Sequence, residues 1–164
     1  MVVALTGFMG SGKSSAGELL AGLLGWRFTD LDAYIVHKAG KDIPAIFTEG
    51  EERFRALEAE AVRDVVIMSE IEGFDVVLAL GGGSLMNPET RKLIASHSRC
   101  FYLETSLEIL KERLSDTDGR PALEGSSLEE LFERRRPGYE TARFKVFTDP
   151  LTPEQTAQEI FRQL

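Results

Sequence analysis

The feature that most constrains this chain is a glycine-rich segment near its start, GFMGSGKS at residues 7–14. It satisfies the pattern G-x-x-x-x-G-K-[ST], whose glycines let the backbone curl so that its N–H groups point inward at phosphate oxygens. Such a loop needs a β-strand before it and a helix after it, because the helix dipole adds to the attraction for anions. The β-branched run VVALT (2–6) precedes the loop, and the helical pattern SSAGELLAGLLG follows it. We therefore expect a strand, a phosphate-binding loop and a helix, in this order.

The rest of the chain continues this alternation of strands and helices. Five short β-branched or aromatic runs are predicted strands, and longer segments with apolar residues at helical spacing separate them. Apolar strands alternating with helices predict an α/β protein with a five-stranded parallel sheet and helices on both faces, in one domain over residues 1–164. The predicted strands are residues 2–6, 27–29, 76–80, 99–103 and 144–148.

Prolines and glycines predict where the helices begin and end. Pro88 and Pro153 stand where helices usually begin, and Gly25 and Gly40 stand where they usually end. The pair 137–138, proline followed by glycine, predicts the end of a further helix. The clearest apolar stripe lies on one predicted helix and consists of Phe54, Leu57, Ala61, Val65 and Met68.

Composition restricts the class of protein. The chain has 164 residues, 43% of them hydrophobic, which suits one compact domain. Its net charge of −8 repels phosphate backbones, so nucleic acid is not an expected partner.

The single cysteine, Cys100, lies in the apolar run CFYL and is predicted to be a buried small hydrophobe. We expect a cytoplasmic protein, because no apolar stretch reaches the ~18 residues of a membrane-spanning helix and no signal-peptide pattern is present.

The phosphate loop predicts the binding of a nucleoside triphosphate. Lys13 is placed to reach the β- and γ-phosphates, and the Ser14 hydroxyl is placed to bind Mg²⁺. The loop alone does not separate kinases from GTPases and motor ATPases. However, the guanine-reading patterns N-K-x-D and T-K-x-D are absent, and the chain has no room for a coupling domain. The usual magnesium-binding Asp at the end of a later apolar strand is missing too, since the run VVLAL ends in the glycines at 81–83.

Two carboxylates follow the second predicted strand. Asp30 and Asp32 lie two residues apart in FTDLD. Ligands of a doubly wound sheet bind at the carboxyl ends of its strands, so both lie at the edge that faces the phosphate loop. One carboxylate can hold water on Mg²⁺ while the other accepts a hydrogen bond from a substrate hydroxyl. Either Asp could instead cap the helix that starts at Ala33. Beside a phosphate loop without its usual acid, we favour the functional interpretation.

Arginine outnumbers lysine thirteen to six in this acidic chain. Arginine binds carboxylates and phosphates bidentately, although most of these side chains are expected to be solvated on helix faces. Arg55 and Arg135 stand in GEERFRALE and ERRRPGY, where they could bind an anion. Arg113 stands where it could stack on a base. Arg120 lies within SDTDGRPALEGSS (115–127), a polar segment with the composition of a mobile loop.

These motifs resemble those of the shikimate kinases over essentially the whole chain. The matching segments are GFMGSGKSS, FTDLDAYI, FTEGEERFRALE, LALGGGS, GRPAL and the pattern R-x-P-x-Y at Arg135, Pro137 and Tyr139. The resemblance implies a three-layer P-loop NTPase fold like that of nucleoside monophosphate kinases, with five parallel strands and a mobile lid at about residues 115–125. It also implies transfer of the ATP γ-phosphoryl group to the 3-hydroxyl of shikimate, with Mg²⁺ as cofactor, in the shikimate pathway of aromatic amino acid biosynthesis.

The resemblance further assigns roles to individual residues, and three of them would be catalytic: Lys13, Asp32 and Arg120. The metal would be held by Ser14 and Asp30. The implied ATP-binding residues are Gly10, Ser11, Gly12, Lys13, Ser14, Ser15, Arg113, Arg120 and Pro153. The implied acceptor-binding residues are Asp32, Arg55, Gly81, Gly82, Gly83 and Arg135, with the glycines lining the acceptor site.

Two departures from the family pattern and two alternative functions stay open. Gly138 stands where the family usually has a bulky apolar residue, so we expect a looser helix end there. Residues 149–153, DPLTP, lack the basic residues that some members have near adenine. A gluconate-type or other small-metabolite kinase shares the fold and the loop, and an ATP-binding module without turnover would share them too. The expected partners are ATP and shikimate, and we favour a monomer because no long apolar stripe remains once the sheet is covered.

Overall fold

The computed structural model describes residues 1–115 and 127–164. Its centre is a five-stranded sheet in which every strand pair is parallel, with the strand order β2-β3-β1-β4-β5. The predicted fold class is therefore confirmed. The strands are Val2–Thr6 (β1), Arg27–Asp30 (β2), Val76–Ala79 (β3), Ser98–Glu104 (β4) and Phe144–Phe147 (β5).

Helices follow the strands along the chain, and a 3₁₀ turn at Ser84–Met86 follows β3. The predicted helix ends at glycine are confirmed, because Gly25 and Gly40 form left-handed caps with φ near 70°. The described helices are Lys13–Leu24 (α1), Leu31–Ala39 (α2), Ile43–Phe47 (α3), Glu51–Glu72 (α4), Pro88–His97 (α5), Leu107–Leu114 (α6), Leu128–Tyr139 (α7) and Pro153–Gln163 (α8).

Alternate residues of the central strand β1 point into two hydrophobic layers. Val3 and Leu5 pack with residues of α1 and α8 on one face of the sheet. Val2 and Ala4 pack with residues of α2, α4 and α5 on the other face. Leu5 is fully buried, and burial of one such side chain contributes about 1.5–3 kcal/mol. The two layers fix the sheet, so the loops at its carboxyl edge start from rigid strand ends.

The structure differs from the predictions at several local points in the helices. Helix α3 was not predicted, because its five residues are too short for a helical period. The Asp42 carboxylate caps it by accepting a hydrogen bond from the Ala45 N–H at 2.9 Å. Met68 was predicted to be on the buried stripe of α4, but 43% of it is exposed because it lies at the edge of the buried arc. The helix end predicted at the pair 137–138 is found one residue later, since α7 continues through Pro137 to Tyr139. Proline removes one helical hydrogen bond, with Glu133, but both residues are exposed and water can replace it.

The prediction for Cys100 is confirmed, because only 5% of this residue is exposed on β4. Burial raises the pKa of its thiol to about 12. Across the residues that the structure describes, no helix has the length and apolarity needed to cross a membrane.

Candidate active site

The phosphate loop connects β1 to α1 as the sequence predicts. Gly12 caps α1 with φ +91°, a backbone conformation that glycine adopts without a Cβ clash. No side chain caps this helix and no acidic residue lies in its first turn. The first N–H groups of α1 and the positive end of its dipole are therefore available to an anion. Lys13 donates from Nζ to the carbonyl oxygens of Gly7 and Phe8, at 2.9 and 3.0 Å, so its ammonium lies over the loop.

A cleft of about 400 Å³ runs from this loop towards the start of α8. Arg113 reaches it from α6 and donates from Nη1 to the Gly10 carbonyl oxygen at 2.8 Å, which joins α6 to the loop. Thr148, Leu151 and Thr156 also line the cleft and were missed in the sequence, because a single threonine or leucine carries no distinctive signal for nucleotide binding. The predicted ATP-binding residues along this cleft are Gly10, Ser11, Gly12, Ser15, Arg113 and Pro153.

Asp30 joins the end of β2 to the phosphate loop. One carboxylate oxygen accepts a hydrogen bond from the Ser14 hydroxyl at the start of α1. The other accepts from the Ala33 N–H at 3.1 Å and thereby caps α2. Asp30 therefore caps α2 and contacts Ser14 at the same time, because its two carboxylate oxygens face different partners. Asp32 lies in the first turn of α2, beyond this cap, and lines a second cleft.

The second cleft, of about 120 Å³, opens at the same sheet edge between the end of β3, α3, α4 and α7. One part of its wall is apolar and was not predicted: Met9, Ile43, Phe47 and Phe54. The remaining residue that was missed is Glu58, which the sequence shows only as one turn beyond Arg55. The predicted acceptor-binding residues all line this cleft: Asp32, Arg55, Gly81, Gly82, Gly83 and Arg135.

Buried charges organise this cleft. Glu58 is 3% exposed; it accepts from Arg55 Nη1 at 2.9 Å and from the Ser84 hydroxyl at 2.7 Å. Arg135 is 5% exposed on α7, and burial lowers the pKa of its guanidinium from the ordinary value. Arginine side chains stay protonated in proteins, so Arg135 is a buried cation. Glu58 compensates Arg55, so the buried Arg135 supplies a positive charge that suits an anionic group in the cleft.

The three glycines after β3 leave room for these charged side chains. An ideal Cβ on Gly81 would lie 2.5 Å from Glu58 Oε1, and one on Gly82 would lie 3.1 Å from Arg135 Nη1. One on Gly83 would lie 2.5 Å from Arg55 Nη1. Each glycine therefore admits a different charged group to the cleft. The sequence predicted that these glycines line an acceptor site, and the structure shows that they set the positions of the charged groups around this cleft.

Tyr139 and Gly138 fix α7 against this glycine segment. The buried Tyr139 hydroxyl donates to the Gly82 carbonyl oxygen at 2.6 Å, one turn beyond Arg135. Gly138 is buried; an ideal Cβ there would overlap the Met86 methyl group and lie 3.1 Å from the Leu85 carbonyl oxygen. The looser helix end expected here stays a prediction; in the structure Met86 occupies the space of the missing side chain and α7 keeps its helical form.

The predicted catalytic residue Arg120 lies outside the described residues. The predicted lid at about 115–125 lies outside them too, except for residue 115.

Comparisons with known proteins agree with this geometry. The family model for shikimate kinase matches residues 9–164. The chain belongs to the shikimate kinase family. Shikimate kinase from Prosthecochloris aestuarii is 39% identical over 99% of this chain and 87% of that protein. The solved structure of shikimate kinase from Acinetobacter baumannii in complex with shikimate has a TM-score of 0.91 and 32% identity, covering 99% of this chain and 91% of that one. The Aquifex aeolicus shikimate kinase structure has a TM-score of 0.84 and 36% identity, over 99% and 95% of the two chains. The family predicted from the sequence motifs is thus confirmed.

Proposed function

We propose that the protein transfers the γ-phosphoryl group of ATP to the 3-hydroxyl of shikimate, giving shikimate 3-phosphate and ADP. The observation that carries this proposal is the meeting of two sites at one sheet edge. The phosphate loop follows β1. The cleft lined by Asp32, Arg55 and Arg135 lies beside this loop, at the ends of the neighbouring strands β3 and β2. A phosphoryl donor and an acceptor that is both anionic and hydroxylated would therefore bind next to each other. Membership of the shikimate kinase family supports shikimate as this acceptor.

The acceptor roles follow from the charges of the second cleft. Arg135 and Arg55 would bind the carboxylate of shikimate, since a guanidinium matches a carboxylate bidentately. Asp32 would accept hydrogen bonds from ring hydroxyls beside the reacting oxygen. The wall formed by Phe47 and Phe54 would cover one face of the ring. A hydroxyl held in line with the γ-phosphate accounts for much of the catalysis in phosphoryl transfer, because this reaction depends on positioning and charge stabilisation.

On the donor side, the loop amides, Ser15 and Lys13 would bind the phosphates of ATP. The Ser11 hydroxyl fits this role, because it is one of two buried side-chain oxygens that lack a hydrogen-bond partner within the described residues, and it lines the nucleotide cleft. Arg113 and Pro153 would lie near the base. Arg120 would compensate charge on the transferred group. This assignment rests on the family motif, and it predicts that Arg120→Ala lowers kcat more than it changes KM for ATP.

Ser14 and Asp30 fit a Mg²⁺ site. The hydroxyl of Ser14 and the carboxylate of Asp30 are adjacent at the phosphate loop. Among the described residues no group of three or more His, Cys, Asp or Glu side chains gathers as a metal cage. Mg²⁺ usually takes only one or two carboxylates and fills its remaining positions with water and phosphate oxygens. When bound there, Mg²⁺ would offset negative charge on the β- and γ-phosphates.

The test is ATP turnover by the purified protein with Mg²⁺, measured as ADP release with and without shikimate. We expect turnover that depends on shikimate, and gluconate or quinate in its place should give little. Turnover with gluconate instead would favour the alternative of another small-metabolite kinase. ATP binding without release of ADP in the presence of any acceptor would identify a binding module. The single domain over 1–164, the monomeric state, the cytoplasmic location and the absence of a nucleic-acid partner stay predictions.

A further inference from the structure

A separate pocket of about 320 Å³ lies between α5, β4 and the loop ahead of β5. We call it the α5 pocket. Its lining holds four basic residues, and no Asp or Glu of the described chain lines it. A chain with a net charge of −8 thus places four of its 19 Lys and Arg residues around one depression. The basic residues are Arg91, Lys92, Arg99 and Arg143.

The four cations have no Asp or Glu side chain as an ion-pair partner, and Arg99 donates to an oxygen of Leu164, the last residue of the sequence. In residues 1–115 and 127–164, none of them forms an ion pair with an Asp or Glu side chain. Neighbouring cations do have acidic partners. Lys145, two residues beyond Arg143, contacts Glu140 at 2.8 Å and Glu104 at 3.1 Å. Arg63, on the nearby α4, lies 3.9 Å from Glu89. The positive charge of the α5 pocket is therefore uncompensated by side chains, in contrast to its surroundings.

Contacts hold part of this cluster in place. Arg91 donates from Nη1 to the carbonyl oxygens of Leu85 and Met86, at 2.8 and 3.2 Å. Arg99 lies 5.3 Å from the centroid of the Phe144 ring and also donates to a main-chain oxygen of Leu164. Both arginines are half-buried, which strengthens their attraction for an anion relative to a fully solvated charge. Arg143, 5.5 Å from the same ring centroid, and Lys92 are exposed at the rim.

We infer that the α5 pocket binds a small oxyanion with two or more negative charges, such as a phosphate ester or a dicarboxylate. Its volume of about 320 Å³ suits a metabolite, and four cations around one depression favour an anion with more than one charge. An extended polyanion is excluded because the acidic remainder of the chain repels it. The pocket lies apart from the residues that line the nucleotide and acceptor clefts, so the inference does not rest on the proposed function.

The test is a titration of ¹⁵N-labelled protein followed by NMR. Shikimate and MgADP are present at saturation, so that the phosphate loop and the acceptor cleft are occupied, and ionic strength is held constant with NaCl. The probe is 3-phosphoglycerate, with acetate as a monovalent comparison. We expect saturable shifts of the amides of Ala95, Ser98 and Thr141, which line the pocket. Acetate should bind at least tenfold more weakly.

Two charge-matched double variants complete the test. Lys92→Ser with Arg143→Ser removes two rim charges at exposed positions and should weaken binding of 3-phosphoglycerate at least tenfold. Arg63→Ser with Arg162→Ser removes the same charge from exposed positions outside the pocket and should leave the affinity within twofold. Shifts confined to residues 10–15, shifts that do not saturate, or equal affinity in both double variants would overturn the inference.

Discussion

The guanidinium of Arg55 occupies the space that a side chain at position 83 would fill. An ideal Cβ on Gly83 would lie 2.5 Å from Nη1 and 2.9 Å from Cζ of Arg55. The same Nη1 donates a hydrogen bond to the buried carboxylate of Glu58 at 2.9 Å. The position of Arg55 in the cleft is therefore set both by an ion pair and by the absence of one methyl group.

Replacing Gly83 by alanine should displace Arg55 and impair acceptor binding. Gly83 has φ −110°, which alanine adopts without strain, so the effect would come from the clash alone. We expect KM for shikimate to rise at least tenfold and KM for ATP to change little, in steady-state ADP-release assays. The control is Gly22→Ala in α1, where an added Cβ meets nothing within 4 Å. It should keep normal kinetics and raise the free energy of unfolding by about 0.5–1 kcal/mol. An unchanged KM for shikimate in Gly83→Ala would contradict this account.

Removing the guanidinium of Arg135 should strongly lower the catalytic efficiency with shikimate. We expect Arg135→Ala to lower kcat/KM for shikimate at least tenfold, equivalent to about 1.4 kcal/mol. The adjacent Arg136 is the matched control, because its exposed side chain points to Glu133 and Glu140 at the surface. Arg136→Ala should stay within twofold of the unaltered protein. Equal kinetics in the two variants would remove Arg135 from the acceptor site.

The charge of Asp32 can be removed with almost no change in shape. Asp32→Asn should lower kcat/KM for shikimate at least tenfold, because an amide accepts hydrogen bonds from hydroxyls less strongly than a carboxylate. The same exchange at Asp42, which caps α3, provides the comparison. Asparagine caps a helix about as well as aspartate, so Asp42→Asn should have little effect on stability or turnover. Normal kinetics in Asp32→Asn would reject a role for this charge.

Two substitutions at Asp30 separate its cap from its metal role. Asp30→Asn keeps an acceptor for the Ala33 N–H, so the free energy of unfolding should change by only a few tenths of a kcal/mol. Asp30→Ala should lose about 1 kcal/mol. Both should raise the Mg²⁺ concentration needed for half-maximal turnover, since both remove the carboxylate. Chemical denaturation and Mg²⁺ titration measure the two effects independently, and a normal Mg²⁺ requirement in Asp30→Asn would exclude the proposed metal ligand.

Cys100 should be inert to thiol reagents in the folded protein. Its pKa is raised to about 12 by burial, so very little thiolate is present at pH 8, and the thiolate fraction becomes large only as the pH approaches that value. We expect no reaction with a disulfide reagent at pH 8 until denaturant is added, and then one equivalent. Rapid modification of the native protein would show that β4 opens far more readily than its packing implies.

The sequence predicts best what adjacent residues determine. The phosphate loop, the parallel sheet and the capping glycines Gly25 and Gly40 each have a local cause, and each was found. The role of Glu58 was missed, because it depends on Arg55 and on Ser84, which is 26 residues away. The passage of α7 through Pro137 was missed as well. The contact between Tyr139 and Gly82 stabilises the last turn of α7 beyond the proline. Helix propensities of single residues do not include such a tertiary contact.

The packing of Gly138 against Met86 makes these two positions dependent on each other over evolutionary time. A bulky residue at 138 has to share space with the Met86 methyl group, and the Leu85 backbone beside it cannot retreat as a side chain can. A smaller residue at 86 would relieve only part of this crowding, because the Leu85 main chain would stay in place. A larger residue at 138 with Met86 retained would crowd the helix that carries Arg135. The two positions, 52 residues apart in the chain, are thus coupled in the side chains that they can accommodate.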